Sequence, residues 1–229
     1  MPVSCDSPEL MRVLWPGREA SLPLEEVVAG LRGYARVAMD LGCGDARFVL
    51  ARARLDPETL FVGVDLVAEN MGRVASRAAR KPTRGGAPNL MLWVADALAL
   101  PLSLAQSADQ VTVNCPWGAL LRGVVEGDPQ VLARMAMPLK PQGRLLIRLN
   151  LHTFQEEALR ERLLLPALET EGPDARLLTG FRQAGLEVVR WDLSGSTDPA
   201  VRTTWGQRLG RGSRREILTI ELCFQADIG

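Results

Sequence analysis

Short apolar runs alternate with segments of helical period through the first two thirds of the chain. Arg36–Leu41 (R-V-A-M-D-L), residues 60–65 (L-F-V-G-V-D), Leu90–Val94, residues 110–114 and residues 143–150 predict strands. Residues 45–54, 68–80 and 130–137 predict helices between them, and residues 24–31 predict an earlier helix that stops at Gly33. Residues 174–184 predict a helix with Gly185 as its C-cap. Two strands then follow in succession, 186–193 and 215–224. Pro2, Pro8, Pro16 and Pro23 break the first 23 residues, where a short hairpin over 11–21 fits.

Strands alternating with helices predict an α/β fold with a parallel sheet built from right-handed crossovers. The two successive terminal strands predict an antiparallel edge. The expected chain is a single domain over 1–229, with an N-terminal extension at 1–33, a cofactor-binding core at 34–150 and insertions at 151–173 and 194–214. There is no internal repeat and no low-complexity tract.

Composition narrows the class. The chain has 229 residues, 47% of them apolar and 24% charged, as a soluble globular protein has. No apolar run reaches the length of a membrane span. Asp6, Glu9 and Arg12 interrupt the first residues, so no secretory signal is expected there. Cys5, Cys43, Cys115 and Cys223 are widely spaced without a C-x-x-C pair, which argues against a metal site and a disulfide framework and for a reducing cytoplasm.

The formal net charge is zero, but its distribution is uneven. No acid lies between Asn70 and Ala95, where Arg73, Arg77, Arg80, Lys81 and Arg84 stand. No acid lies between Pro199 and Arg215 either, where Arg202, Arg208, Arg211, Arg214 and Arg215 stand. Either run alone is an ordinary solvated face; together they point to a phosphate-binding surface. Nearly all of this charge is arginine, which suits bidentate phosphate contacts and base stacking.

Asp40-Leu41-Gly42-Cys43-Gly44-Asp45 falls where a strand turns into a helix. Glycine at alternate positions lets the backbone bend and approach a ligand, and ligands of such sheets sit at the carboxyl ends of the strands. Arg47 occupies the third glycine position of a dinucleotide fingerprint, so a pyrophosphate is not signalled. Asp65 ends the second strand, where an acid accepts hydrogen bonds from ribose hydroxyls. Asp96 and Ala97 follow the third strand, within reach of an adenine edge. Asp40, Gly42, Gly44, Asp65 and Asp96 together resemble the S-adenosyl-L-methionine (AdoMet) pocket of class I methyltransferases. That resemblance implies a Rossmann-like, seven-stranded, mostly parallel sheet with an antiparallel edge strand and helices on both faces.

Asn114-Cys115-Pro116-Trp117-Gly118 follows the fourth strand, at the lip of such a pocket. Pro116 stiffens the turn, and Trp117 offers a stacking face for a planar base. Trp205 lies in an arginine-rich stretch, and the two tryptophans could hold a flipped base between them. Trp93 and Trp191 lie within predicted strands and are assigned to the core.

The string from Phe61 to Met71 (F-V-G-V-D-L-V-A-E-N-M), Ala79-Arg80-Lys81-Pro82, Gly85-Gly86, Pro88-Asn89 and the string from Pro116 to Gly123 (P-W-G-A-L-L-R-G) resemble the aminoglycoside-resistance methyltransferases that modify N1 of adenine 1408 in 16S rRNA. The resemblance implies AdoMet as cofactor and the 30S subunit as partner. It implies that Trp117 and Trp205 sandwich the flipped adenine, that Arg80, Lys81, Arg208 and Arg215 dock on the rRNA with Arg211 or Arg214 as substitutes for Arg215, and that Thr203 supports the Trp205 loop. Two departures stand out. Gly42-Cys43-Gly44-Asp45-Ala46 replaces the usual G-T-G-D-G, and Asn114-Cys115 stands where apolar residues are expected.

N1 of neutral adenine carries a lone pair and no proton, so the expected chemistry is in-line displacement without a general base. The single histidine, His152, is assigned no part in it. Other readings stay open: an N6-adenine methyltransferase, since N-C-P-W resembles an N-P-P-W turn; a tRNA guanine-N7 methyltransferase; a small-molecule methyltransferase; and an AdoMet- or ribosome-binding module without catalysis. No membrane partner is expected, and a monomer is.

Overall fold

The computed structural model describes residues 9–15, 18–155, 157–195 and 216–225. Among them the elements run β1 (Leu10–Trp15), β2 (Arg18–Pro23), α1 (Leu24–Arg32), β3 (Arg36–Leu41), α2 (Arg47–Leu55), β4 (Thr59–Asp65), α3 (Ala68–Ala78), β5 (Leu90–Val94), β6 (Ala108–Asn114), α4 (Gly118–Glu126), α5 (Pro129–Ala136), β7 (Leu139–Asn150), α6 (His152–Gln155), α7 (Glu157–Arg162), α8 (Ala175–Gln183), β8 (Leu186–Gly195) and β9 (Glu216–Phe224). No described helix is long and apolar enough to cross a membrane.

The strands form one sheet in the order β2-β1-β5-β4-β3-β6-β7-β9-β8. From β5 to β7 all pairings are parallel. The chain winds outward from β3 through β4 to β5, then crosses back to β6 on the other side of β3. That reversal puts a crevice at the carboxyl ends of β3 and β6.

Alternation along the central strands explains why both faces carry helices. Val37, Met39 and Leu41 of β3, Leu60, Val62 and Val64 of β4 and Trp93 of β5 face one core, with Val27 of α1, Val124 of α4 and Leu132 of α5. Phe61 of β4 and Leu92 and Val94 of β5 face the other, with Val49 of α2 and Val74 of α3.

The seven predicted strands are present, and the hairpin that fits 11–21 forms as β1 and β2, which brings the sheet to nine strands. The hairpin β1–β2 joins the sheet through Val13, which pairs with Trp93. Met11 and Val13 alternate into the same core as Trp93, which is fully buried. The two terminal strands pair antiparallel at one edge of the sheet, as predicted, but β9 takes the inner place, between β7 and β8, and pairs with both. A helical crossover through α8 returns β8 in the direction of β7, so β9 fills the gap. Its apolar residues suit that interior place, since Ile217, Leu218, Ile220 and Leu222 are all buried. The last pair of the β8–β9 ladder is Gly195 with Glu216.

Helix α4 was not predicted. Gly118 and Gly123 weaken its helical signal, yet Gly123 is what lets α5 pack on it, because a Cβ there would lie 2.3 Å from Val131 Cγ1. Helix α3 stops at Ala78, two residues before the predicted end, which frees Arg80 and Lys81 to sit in the turn beyond it.

Candidate functional site

A cavity of about 570 Å³ opens at the carboxyl ends of β3, β4, β5 and β6, beside the reversal in strand order. Gly42, Gly44, Asp65, Asp96, Ala97, Pro116 and Trp117 line it, so seven of the predicted cofactor and base-contacting residues are brought together.

The turn after β3 is built by left-handed backbone. Gly42 has φ 73° and Gly44 φ 58°. A Cβ on Gly42 would press to 3.1 Å from Leu120 Cδ1, so its bare Cα also admits the wall formed by α4. The N–H groups of Gly42 and Cys43 both donate to the Val64 carbonyl at 2.9 Å, and that of Gly44 donates to Asp65 Oδ2 at 2.8 Å. Asp65 Oδ1 accepts from the Val67 N–H at 2.9 Å. One carboxylate thus braces the entry to α3 and the glycine turn while facing the cavity.

The departures from the family pattern have physical consequences. Ala46, where a further glycine is usual, keeps a left-handed backbone (φ 56°, ψ 14°) and is fully buried at the start of α2. Cys43 is buried, with Sγ 3.5 Å from Met71 Sδ. Burial, reinforced by Asp40, Asp65 and Asp45, holds its thiol well above the usual range, so it is neutral packing and not a nucleophile.

Asp40 differs from its expected role. It does not line the cavity but points into the seam between β3 and β6, 2% exposed. Oδ1 accepts from Thr112 Oγ1 at 2.6 Å and from Asn114 Nδ2 at 2.7 Å. Asn114 Oδ1 in turn accepts from Arg148 Nη1 at 2.8 Å. Burial pushes the Asp40 carboxyl up to about 7, against the hydrogen bonds of Thr112 and Asn114 and the charge of Arg148, with Asp65 adding to the rise. Neither Thr112 nor Arg148 was singled out from the sequence. The signal for Arg148 was a lone cation inside the apolar run L-L-I-R-L.

Asp96 is exposed at the end of β5, and its Oδ1 accepts from the Leu98 N–H at 2.9 Å, closing the turn that carries Ala97 into the cavity wall. Across the cavity, Pro116 is buried while Trp117 is 50% exposed at the N-cap of α4. The two other tryptophans with described side chains do core and bracing work. Trp93 is fully buried, and Trp191 Nε1 donates to the Thr170 carbonyl at 3.0 Å.

Arg80 and Lys81 lie elsewhere, in a second concavity of about 350 Å³ that they share with Arg84. Its backbone is folded back on itself by bonds from the Arg84 and Gly86 N–H groups to the Lys81 carbonyl. Gly86 is obligatory there, since a Cβ would lie 1.6 Å from the Arg80 carbonyl oxygen. Arg54 of α2, also not foreseen, donates to the Gly85 carbonyl and holds the turn from below. Trp205, Thr203, Arg208, Arg211, Arg214 and Arg215 lie outside the described residues. Among the described residues no group of three metal-ligating side chains occurs.

Comparison with known proteins agrees with this geometry. Residues 17–224 match the family model NpmA, described as 16S rRNA (adenine(1408)-N(1))-methyltransferase. A 16S rRNA (adenine(1408)-N(1))-methyltransferase of Streptoalloteichus hindustanus is 32% identical over 185 residues, covering 80% of this chain and 84% of its own. The crystal structure of an enzyme of the same description from Catenulisporales acidiphilia, a mutant with cosubstrate SAM, superposes with a TM-score of 0.82 at 31% identity, covering 96% of this chain and 99% of its own. The aminoglycoside resistance methyltransferase NpmB1 superposes with a TM-score of 0.79 at 34% identity, covering 93% and 99%.

Proposed function

Since the chain belongs to the 16S rRNA (adenine(1408)-N(1))-methyltransferase family, we propose that it carries a methyl group from AdoMet to N1 of adenine 1408 in the 16S rRNA of the 30S subunit, and so confers aminoglycoside resistance. The adenine is flipped out of its stack and held between Trp117 and Trp205. The observation that carries this reading is Trp117, half exposed on the rim of the cavity at the end of β6. An indole left in water beside a cleft is a stacking face, and stacking returns about 1–3 kcal/mol per base against the few kcal/mol of unstacking.

The cleft suits AdoMet. Its volume of about 570 Å³ is that of a pocket enclosing a ligand of drug size. Gly42 and Gly44 allow close backbone approach, Asp65 faces the cavity where a ribose would lie, and Asp96 and Ala97 flank the place of an adenine. When bound, AdoMet supplies a methyl group made electrophilic by its sulfonium.

The chain's own part is positioning. N1 presents a lone pair without a proton, so no residue has to act as base. The acids at the cavity fit that division of labour: Asp65 accepts from Gly44 and Val67, Asp96 from Leu98, and Asp45 from the Arg47 N–H. An exocyclic N6 would need the Asn114 oxygen, which already accepts from Arg148 and would have to take the amine on its second lone pair.

Docking is electrostatic. Arg80 and Lys81, joined by Arg84, present cations around one concavity, and Arg208, Arg211 and Arg215, with Thr203, supply the second basic segment. Phosphate contacts of this kind set orientation, while RNA shape specifies the site. On this reading the enzyme works as a cytoplasmic monomer.

The test is transfer of tritiated methyl from AdoMet to purified 30S subunits, mapped by reverse transcription. A stop at adenine 1408 is expected, because N1 methylation blocks pairing. Incorporation without a stop points to N6, and no incorporation overturns the reading.

A further inference from the structure

The turn that presents Trp117 has a strained backbone and rests against a buried cation on β7, Arg148. Cys115 has a left-handed backbone, φ 48°, in a residue with a Cβ, and Gly118 follows at φ 59°. Such a turn persists only when its surroundings over-determine it. Two contacts from one residue do so. The Arg148 carbonyl accepts from the Cys115 N–H at 2.8 Å, and the Arg148 guanidinium donates to Asn114 Oδ1 at 2.8 Å. Asn114 is fixed from its other side by Asp40, at 2.7 Å, so its amide has one orientation. The guanidinium lies 5.9 Å from the centre of the Phe48 ring of α2, within cation–π range. Arg148 is itself only 9% exposed.

We propose that Arg148 is a positioning residue: with Asn114 it clamps Cys115 in its left-handed conformation and thereby fixes Trp117 at the angle that a target base must meet. Its consequence for catalysis rests on the methyl-transfer reading above; the clamp itself does not. Three strand ends meet in it. Asp40 is the last residue but one of β3, beside the cofactor turn, Asn114 ends β6 before the base-stacking turn, and Arg148 lies two residues before the end of β7. The departure of Asn114-Cys115 from the expected apolar pair is then compensated within this chain, because Arg148 is the partner that a polar Asn114 requires. Burying an amide without such a partner is costly.

The test pairs a readout of the turn with a readout of the reaction. The chain is labelled with 5-fluorotryptophan, and the Trp117 resonance is assigned by its loss in W117F. In wild type it is a single sharp ¹⁹F line. In R148M it broadens or splits, single-turnover methylation of 30S subunits falls at least tenfold, and the AdoMet dissociation constant moves less than threefold. R148K, which keeps a cationic donor, recovers part of the rate. Cys115→Gly in the R148M background restores both the sharp line and a rate within threefold of wild type, because glycine takes φ 48° without a clamp.

An unchanged Trp117 line in R148M overturns the proposal. So does a slowed R148M that C115G fails to restore, since a loss of charge or of core packing would not be repaired at Cys115. If R148M does not fold, N114A carries the same test with the guanidinium left in place. If wild type does not methylate 30S subunits while the line broadens in R148M and sharpens in R148M/C115G, the substrate reading falls and the clamp stands.

Discussion

The Gly44 N–H donates to Asp65 Oδ2 at 2.8 Å, so the acid that ends β4 is bonded directly to the glycine turn that ends β3. Hydrogen bonds to a charged acceptor contribute about 1.5–3 kcal/mol each. Asp65→Asn should therefore weaken AdoMet binding about ten- to a hundredfold by calorimetry while the protein stays folded. Affinity within twofold of wild type would remove Asp65 from the cofactor site.

Trp117 should matter to the base and not to the cofactor. Loss of about 1–3 kcal/mol of stacking predicts that Trp117→Ala slows methylation of 30S subunits by about five- to 150-fold, with AdoMet affinity unchanged. Equal rates in filter-bound methylation assays would refute a stacking role.

Asp40 predicts a pH effect on stability. Its carboxyl is raised from 3.8 to about 7 by burial, so the folded state holds a proton that the unfolded state has lost. The stability this gives is fully present below pH 3.8 and is lost as pH rises through about 7. Wild-type melting temperature should fall between pH 5 and 8 relative to Asp40→Asn, which has no carboxyl to ionise. Parallel pH profiles for the two proteins would contradict the assignment.

Ala46 makes an unusual prediction about glycine. Ala46→Gly loses a buried methyl, about 0.8 kcal/mol, and about 0.4–1 kcal/mol of unfolded-state restriction. It gains about 1–2 kcal/mol by relieving the left-handed alanine. The terms nearly cancel, so the melting temperature should move by no more than about 2–4 °C. Ala46→Val adds β-branching at a fully buried left-handed position and should cost about 3 kcal/mol or more. Differential scanning calorimetry of both variants decides it; a large loss in the glycine variant would show that the strain is absent.

The concavity shared by Arg80, Lys81 and Arg84 should be visible in salt dependence. Each phosphate contact contributes about 0.7–0.9 to the slope of log affinity on log salt. Removing two cations in Arg80→Ala/Lys81→Ala should lower the slope for 30S binding by about one to two. An unchanged slope would place the rRNA elsewhere.

Much of the fold was legible because the central strands are nearly all apolar and the glycine turn falls at a strand end. The run L-F-V-G-V-D gives β4 and its terminal acid together. What was not legible depended on partners distant in sequence. Residues 118–126 carry two glycines, and their helix is stabilised by α5 packing against Gly123. Asp40 was expected in the cofactor cavity because it adjoins the turn, but Thr112 and Asn114, 72 and 74 residues away, draw its carboxylate into the sheet seam. The interior place of β9 follows from the direction in which α8 returns β8, which a run of apolar residues does not encode.

The pairing of Gly195 with Glu216 has a consequence for how this protein can diversify. That rung joins two positions separated by 20 residues of sequence, and Trp205 falls midway between them in the sequence. The ladder has already brought the ends together, so lengthening the segment costs little: each doubling adds only about 0.6 kcal/mol. If this stretch carries the second base-stacking face proposed above, its length and sequence can change, and the choice of RNA with them, while the sheet, the cofactor cleft and the Trp117 turn stay as they are.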